Sequence, residues 1–329
     1  MRKFFIVLIL FLGIVFFITR FTEVKKIYAI LQMGSWHFVW LGIFVEGLWM
    51  LNVSASYQSL YDLMGIKENL GRFFQLTNAA NFVNIVTPAS GGVPALAVYL
   101  GDAQKRGYPV GKVMAAWALY LFFEYLGLLG VVTLALIVLF RRNNLNWSEI
   151  TAAIILVAIA FGLATLISLG MRAPQLLGDI LAGIAHAINR VMWIFLHRPY
   201  LSEERSHAFA RDVSDGLAVL RGNQRGLLRP LLLAATNKVL LGLILWTMFL
   251  AFDASYSVGT MIGALGICYL FVIVSPTPSG VGVVEGIMTL TLVSLRVEVE
   301  AATVITLGFR GITFWLPLLV GAVTFRRLS

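Results

Sequence analysis

The sequence predicts an all-α fold: a polytopic transmembrane helix bundle with re-entrant or broken helices, arranged as an inverted repeat. Three observations predict it. Of the 329 residues, 59% are hydrophobic and 12% charged, against roughly 25% charged in a soluble domain. No soluble core could bury that much apolar surface, so the bilayer must solvate most of it. The apolar residues run in long unbroken stretches, without the period-two alternation of a barrel strand. Finally, one interrupted pattern occurs twice, near opposite ends of the chain, as Ile85-Val86-Thr87-Pro88-Ala89-Ser90-Gly91-Gly92-Val93 and as Ile273-Val274-Ser275-Pro276-Thr277-Pro278-Ser279-Gly280-Val281.

Spans of about 20 apolar residues are expected at 4–21, 36–58, 113–140, 150–169, 227–252, 257–274 and 301–323. The first follows Met1-Arg2-Lys3 and looks like a signal sequence, but Thr19-Arg20-Phe21 offers no small-residue cleavage site, so it reads as an uncleaved helix. Two segments, 73–100 and 281–295, are shorter and contain or follow the interruptions. Arginine and lysine set the orientation. The stretch 172–229 is the most basic, holding Arg190, Arg198, Arg205, Arg211, Arg221 and Arg225 between its terminal arginines, so it is expected in the cytoplasm with both termini. Arg20, Lys25, Lys26, Arg141 and Arg142 then fall outside, against the rule. Lys67, Arg72, Lys105, Arg106 and Lys112 flank 73–100 on the inner side. That segment is too short for two crossings of about 20 residues each, so it is expected as a re-entrant hairpin with its tip at 88–92. The second interruption reads either as a matching hairpin or as a kink between two crossings.

The whole of 1–329 reads as one transmembrane domain with halves at about 1–170 and 227–329. A basic cytoplasmic connector at 171–226 joins them. Within it Phe209, Val213, Leu217 and Leu220 recur at helical spacing, the mark of an interfacial amphipathic helix. The net charge of +9 is accounted for by these loops and their contact with anionic lipid heads, and no basic patch with interleaved aromatics points to nucleic acid.

Proline and glycine end a helix and free backbone amides and carbonyls, which survive at membrane depth only where protein or a water-filled cavity covers them. Paired interruptions in the two halves of a membrane protein point to a transport site. Each is followed by a helix start, with Ser90 and Ser279 placed to cap it, and free amides at a helix start attract anions. Ser90, Gly91, Gly92, Ser279 and Gly280 are therefore expected to supply backbone donors to a head group. Gln75, Asn78, Asn81 and Asn84 step by three along one helical stripe, which reads either as interhelical glue or as the polar wall of a cavity. Asn78, Asn81 and Asn84 are taken as the wall. Five charges stand inside apolar runs: Glu46, Glu124, Lys238, Glu285 and Arg310. Each costs several kcal/mol unless paired. Glu285 and Arg310 are expected to pair, either as a structural bridge or as part of the site, and an unpaired acid is a candidate for proton coupling.

The histidines His37, His186, His197 and His207 lack metal-ligand spacing, and Gly280-Val281-Gly282 lacks the context of a dinucleotide fingerprint. With no Walker sequence and no catalytic dyad, neither a metal, a cofactor nor an enzymatic reaction is expected. Cys268, the single cysteine, reads as a small buried hydrophobe.

Asn81 through Pro94, with its Pro-x-Ser-Gly-Gly-x-Pro stretch, and Ser275 through Gly286 resemble the signature segments of the lysylphosphatidylglycerol synthase transmembrane-region family. This flippase-like family includes the N-terminal half of the multiple peptide resistance factor, together with archaeal dolichol-phosphate-related and hopanoid-associated membrane proteins. The resemblance covers essentially the whole chain. The second segment is the more specific; the family commonly has Pro-Thr-Pro-Gly-Gly-x-Gly-x-x-Glu, and here Ser279 replaces the first of two glycines. The resemblance implies movement of a lipid or lipid-linked group between leaflets without fixing the lipid. The factor's soluble aminoacyl-transferring segment has no counterpart in these 329 residues, so lysyl transfer is not expected. The expectation is thus a multi-pass translocase of a prokaryotic plasma membrane. Its partner would be an anionic or glycosylated membrane lipid, with a second copy of the chain as a further candidate. The alternative is a non-transporting partner subunit that presents lipid to a glycosyltransferase or other lipid-modifying enzyme.

Overall fold

The computed structural model describes residues 29–87, 93–142, 147–173, 224–275 and 277–328, with a few isolated positions between 175 and 217. Ten α-helices carry the described chain: α1 (Trp36–Leu63), α2 (Leu70–Val86), α3 (Val93–Arg106), α4 (Val110–Arg141), α5 (Trp147–Arg172), α6 (Leu228–Ala251), α7 (Val258–Val274), α8 (Val283–Ser294), α9 (Val299–Arg310) and α10 (Leu316–Leu328). A π turn at Gly311–Trp315 joins the last two. No strand occurs among the described residues. Five stretches are long and apolar enough to cross a bilayer: Trp36–Leu63, Val110–Arg141, Trp147–Arg172, Arg225–Ala251 and Val299–Leu328. Their outer faces stay greasy: Trp40 is 62% exposed and Phe161 73%, as expected of side chains that meet lipid. The expected span at 4–21 lies outside the described residues, as does most of the connector; of its apolar stripe only Leu217 is described, and it is buried.

The helices on either side of each interruption pack as a hairpin. In the first, α2 and α3 pack on each other; in the second, α7 packs on α8. The first arm is 17 residues in each case, and the second is 14 in α3 and 12 in α8. Twelve residues of helix reach only about 18 Å, short of a hydrocarbon core of about 30 Å. The dimensions therefore fit the hairpin alternative at the second interruption, not a full crossing. Local chemistry starts the first arms: the Asn69 side chain accepts from the Arg72 amide at 2.7 Å, and Ser257 accepts from the Thr260 amide at 3.1 Å.

The contacts between elements are reciprocal. The helix before each hairpin packs on its counterpart, α1 on α6. The first arm of each hairpin packs on the helix that follows the other hairpin, α2 on α10 and α7 on α4. Helix α5 lies outside this scheme, against α4 and α7. Both crossed interfaces are close. A Cβ at Gly266 on α7 would stand 2.5 Å from the Ala135 Cβ on α4, and one at Gly321 on α10 would stand 2.6 Å from the Asn78 carbonyl oxygen on α2.

The open end of the first hairpin is clamped by charge. Arg72 on α2 pairs with Asp102 on α3, and Arg106 pairs with Glu68 in the loop before α2. The Tyr108 hydroxyl donates to Glu68 at 2.5 Å, and Gln58 on α1 donates to the Glu68 carbonyl at 2.9 Å. Lys105 donates to the Leu328 carbonyl at 2.7 Å, and Arg229 stands 3.8 Å from Asp62. The C-terminal end of α10 and the start of α6 thus share one end of the bundle with the hairpin base. At the other end Arg142 donates to the Leu295 carbonyl at 3.2 Å and to the Ser257 hydroxyl at 3.2 Å. It caps the C-terminus of α8, where a cation is favoured, and that local task explains a basic residue that the charge-asymmetry rule places on the wrong side.

The Tyr108 hydrogen bond, then the Arg106 charge, hold the Glu68 carboxyl below the ordinary glutamate range. A depressed acid contributes stability that is present above its unfolded value and is lost as pH falls through its folded one. Thermal unfolding followed from pH 7 down to pH values below the usual carboxylate range is expected to show a destabilising step. Glu68→Gln should flatten that step. An unchanged acid profile in this variant would mean that the clamp contributes nothing.

Candidate functional site

A cavity of about 480 Å³ lies between the hairpins. Its wall takes Trp49 and Tyr57 from α1, Asn78, Asn81 and Asn84 from α2, Tyr99 from α3, Trp117, Tyr120 and Glu124 from α4, Lys238 from α6, and Tyr269 from α7. Thr87, the last described residue before the first interruption, and Ser279, inside the second, line the same space. Helix α2 also packs directly on the turn Pro278–Gly280. Ser90, Gly91 and Gly92 lie outside the described residues, and so does Pro276.

The amide stripe divides. Asn78 donates to the Phe74 carbonyl at 2.7 Å, an intrahelical bond. The Asn84 Oδ1 is buried and has no hydrogen-bond partner among the described residues. Gln75, half-buried three residues before Asn78, is not part of the wall.

At the second interruption the chain makes a tight turn. Ser279, Gly280 and Gly282 have φ of 49°, 73° and 87°. This left-handed backbone moves the helix start: α8 begins at Val283 with Gly282 as its N-cap, two residues beyond the start that Ser279-Gly280 predicts. The Gly282 amide donates to Glu285 Oε2 at 2.7 Å, and the Gly280 amide donates to the Thr277 carbonyl at 3.0 Å. Ser279 is therefore not the cap, and the amides of Gly280 and Gly282 are already spent. A carboxylate of the chain itself occupies the positive end of α8. That carboxylate is held by Arg310: Nε donates to Glu285 Oε1 at 2.8 Å, while Nη2 donates to the Ser279 carbonyl at 3.0 Å. The π turn after Arg310 places the Phe314 ring 5.0 Å beneath its guanidinium. The expected Glu285–Arg310 pair forms, and it ties the turn to α9.

A left-handed residue other than glycine costs roughly 1–2 kcal/mol. Ser279→Gly is accordingly expected to raise the thermal unfolding midpoint of the purified protein, as a gain of about 1 kcal/mol. A lower midpoint would show that the serine side chain contributes more than its backbone costs.

The other embedded charges resolve unequally. Lys238 Nζ stands 2.5 Å from Glu124 Oε2, and Asn237 donates to Glu124 Oε1 at 2.6 Å. Asn52 extends the network, donating to Asn237 Oδ1 at 2.9 Å and to the Leu233 carbonyl at 2.8 Å. Glu46 on α1 is fully buried, and neither carboxyl oxygen has a hydrogen-bond partner among the described residues. An unsatisfied buried polar group costs about 1–3 kcal/mol, and replacing it by an apolar group of similar shape recovers much of that. Glu46→Met is expected to raise thermal stability on that scale. A drop of several degrees would reveal a polar contact that the ground state does not show.

Sequence reasoning missed the aromatic part of the wall. Tyr57 stacks between Tyr99, with ring centroids 4.6 Å apart, and Tyr120, at 4.0 Å. The signal was present: tyrosine within an apolar run carries a hydroxyl that needs a partner, and the three lie on three different helices.

The family model described as Lysylphosphatidylglycerol synthase TM region matches residues 4–321. No curated protein matches the chain.

Proposed function

The chain belongs to the lysylphosphatidylglycerol synthase transmembrane-region family, and from that premise we propose that it moves a lipid between leaflets, with the head group passing through the cavity between the two hairpins. One observation carries the reading. Thr87, just before the first interruption, and Ser279, inside the second, line one cavity that sets amide, hydroxyl and charged groups into a largely apolar wall, bounded in part by helices long and apolar enough to span a bilayer. A lipid head needs such polar partners at membrane depth, because exposing it to hydrocarbon costs several kcal/mol per polar group. The reciprocal contacts of the two hairpins support reading the chain as two repeats around this site. The end carrying Arg72, Lys105, Arg106 and Arg229 is assigned to the cytoplasmic face of a prokaryotic plasma membrane, which places the C-terminal end of α10 on that face.

The test is a leaflet-resolved assay in proteoliposomes containing only the purified protein, with fluorescent phospholipids and glycolipids. Accelerated exchange of at least one lipid is expected, and Asn81→Leu combined with Asn84→Leu should slow it about tenfold, the equivalent of one or two lost polar contacts. No exchange of any lipid by the protein alone, restored when a lipid-modifying enzyme is co-reconstituted, would replace this proposal by the partner-subunit reading.

A further inference from the structure

Resting on the translocase reading of this cavity, we infer that the head group it takes is uncharged and rich in hydroxyls, a sugar or polyol, and not a bare phosphate or a quaternary amine. Every cation near the cavity is already neutralised among the described residues. Lys238 is bound to Glu124 at 2.5 Å, and Arg310 is held by Glu285 and by the Ser279 carbonyl. The α8 amide that would greet an anion donates instead to Glu285. A phosphate would have to break one of these pairs and leave a carboxylate behind, at a cost of several kcal/mol. The acid that lines the wall is equally spent: Glu124 accepts from both Lys238 and Asn237, and Glu46, whose carboxyl has no partner among the described residues, is not part of the wall.

What remains unpaired on the wall among the described residues is neutral and of both senses. Asn84 Oδ1 is an acceptor and Trp49 Nε1 a donor, each buried without a partner among the described residues, and both residues line the cavity. Asn81 adds an amide with one acceptor and two donors. A hydroxyl both donates and accepts, so a polyol can satisfy this set where a phosphate, which only accepts, cannot. The same wall carries Tyr99 and Tyr120 on either side of Tyr57. Their electron-rich faces suit the C–H faces of a sugar ring. The volume of about 480 Å³ falls within the roughly 300–1,000 Å³ of small-molecule sites.

The test is equilibrium binding to the full-length protein in a polyoxyethylene detergent, chosen because a sugar detergent would compete. The probes are short-chain monoglucosyl diacylglycerol, phosphatidic acid and phosphatidylcholine. The glucolipid is expected to bind at least about tenfold more tightly than either other lipid, and Trp49→Phe and Asn84→Leu should each weaken it about tenfold. Phosphatidic acid or phosphatidylcholine binding as tightly as the glucolipid would overturn the inference, and so would unchanged glucolipid binding in Trp49→Phe, which removes only the indole N–H and keeps the fold if Asn84→Leu does not. Glucolipid selectivity without movement in proteoliposomes would sink the translocase reading and leave the head-group inference standing. Movement of phosphatidic acid with no glucolipid preference would do the reverse.

Discussion

Gly321→Ala is expected to lower the stability of the purified protein by about 1–3 kcal/mol, the usual cost of forcing a methyl group into a filled interface. The new Cβ would stand 2.6 Å from the Asn78 carbonyl oxygen and 2.7 Å from the Phe82 Cβ, both on α2. Neither obstacle is the mobile tip of a side chain, so α10 and α2 must separate. Because α2 also carries Asn81 and Asn84, the strain reaches the cavity wall, and lipid binding should weaken together with the thermal midpoint. Gly286→Ala on α8 is the control, since nothing lies within 4 Å of its added methyl group; it should be neutral or slightly stabilising through helix propensity. Equal effects of the two substitutions, measured by thermal unfolding, would contradict the close approach of α10 to α2.

Arg310→Met should be more damaging, at about 3 kcal/mol, toward the lower end of what breaking a buried pair costs because Glu285 keeps some exposure. It strands the Glu285 carboxylate and also releases the Ser279 carbonyl, so the second interruption loses its anchor to α9. The double variant Arg310→Met with Glu285→Met should recover part of the loss, since no charge is then left unpaired. A double-variant cycle on unfolding midpoints measures the coupling. Additive losses would mean that the two residues stabilise the fold independently.

The helical class, the two interruptions and the Glu285–Arg310 pair were legible in the sequence because each rests on a rule with few exceptions: apolar length, helix breakers, and the cost of a lone charge in lipid. The rest turns on which helices meet. Lys238 and Glu124 are 114 positions apart, and nothing local says that α4 and α6 bring them together while Glu46 finds no partner among the described residues. The start of α8 was misplaced for a different reason. Ser279-Gly280 has the composition of a cap, but the left-handed turn runs on through Gly282, and the capping oxygen comes from Glu285, downstream. The tyrosine stack was overlooked because hydropathy ranks Tyr57, Tyr99 and Tyr120 with their apolar neighbours and hides their hydroxyls.

The exchange of partners between the hairpins has a mechanical consequence. Because α2 is held by α10 and α7 by α4, cutting the molecule at the middle of its chain would not give two separable bodies. The units able to shift as blocks are stitched from both ends of the polypeptide, with the α1–α6 contact as the axle between them. Any widening of the gap between the two hairpins must slide one of the glycine-tight seams, or carry a hairpin and its borrowed helix along together.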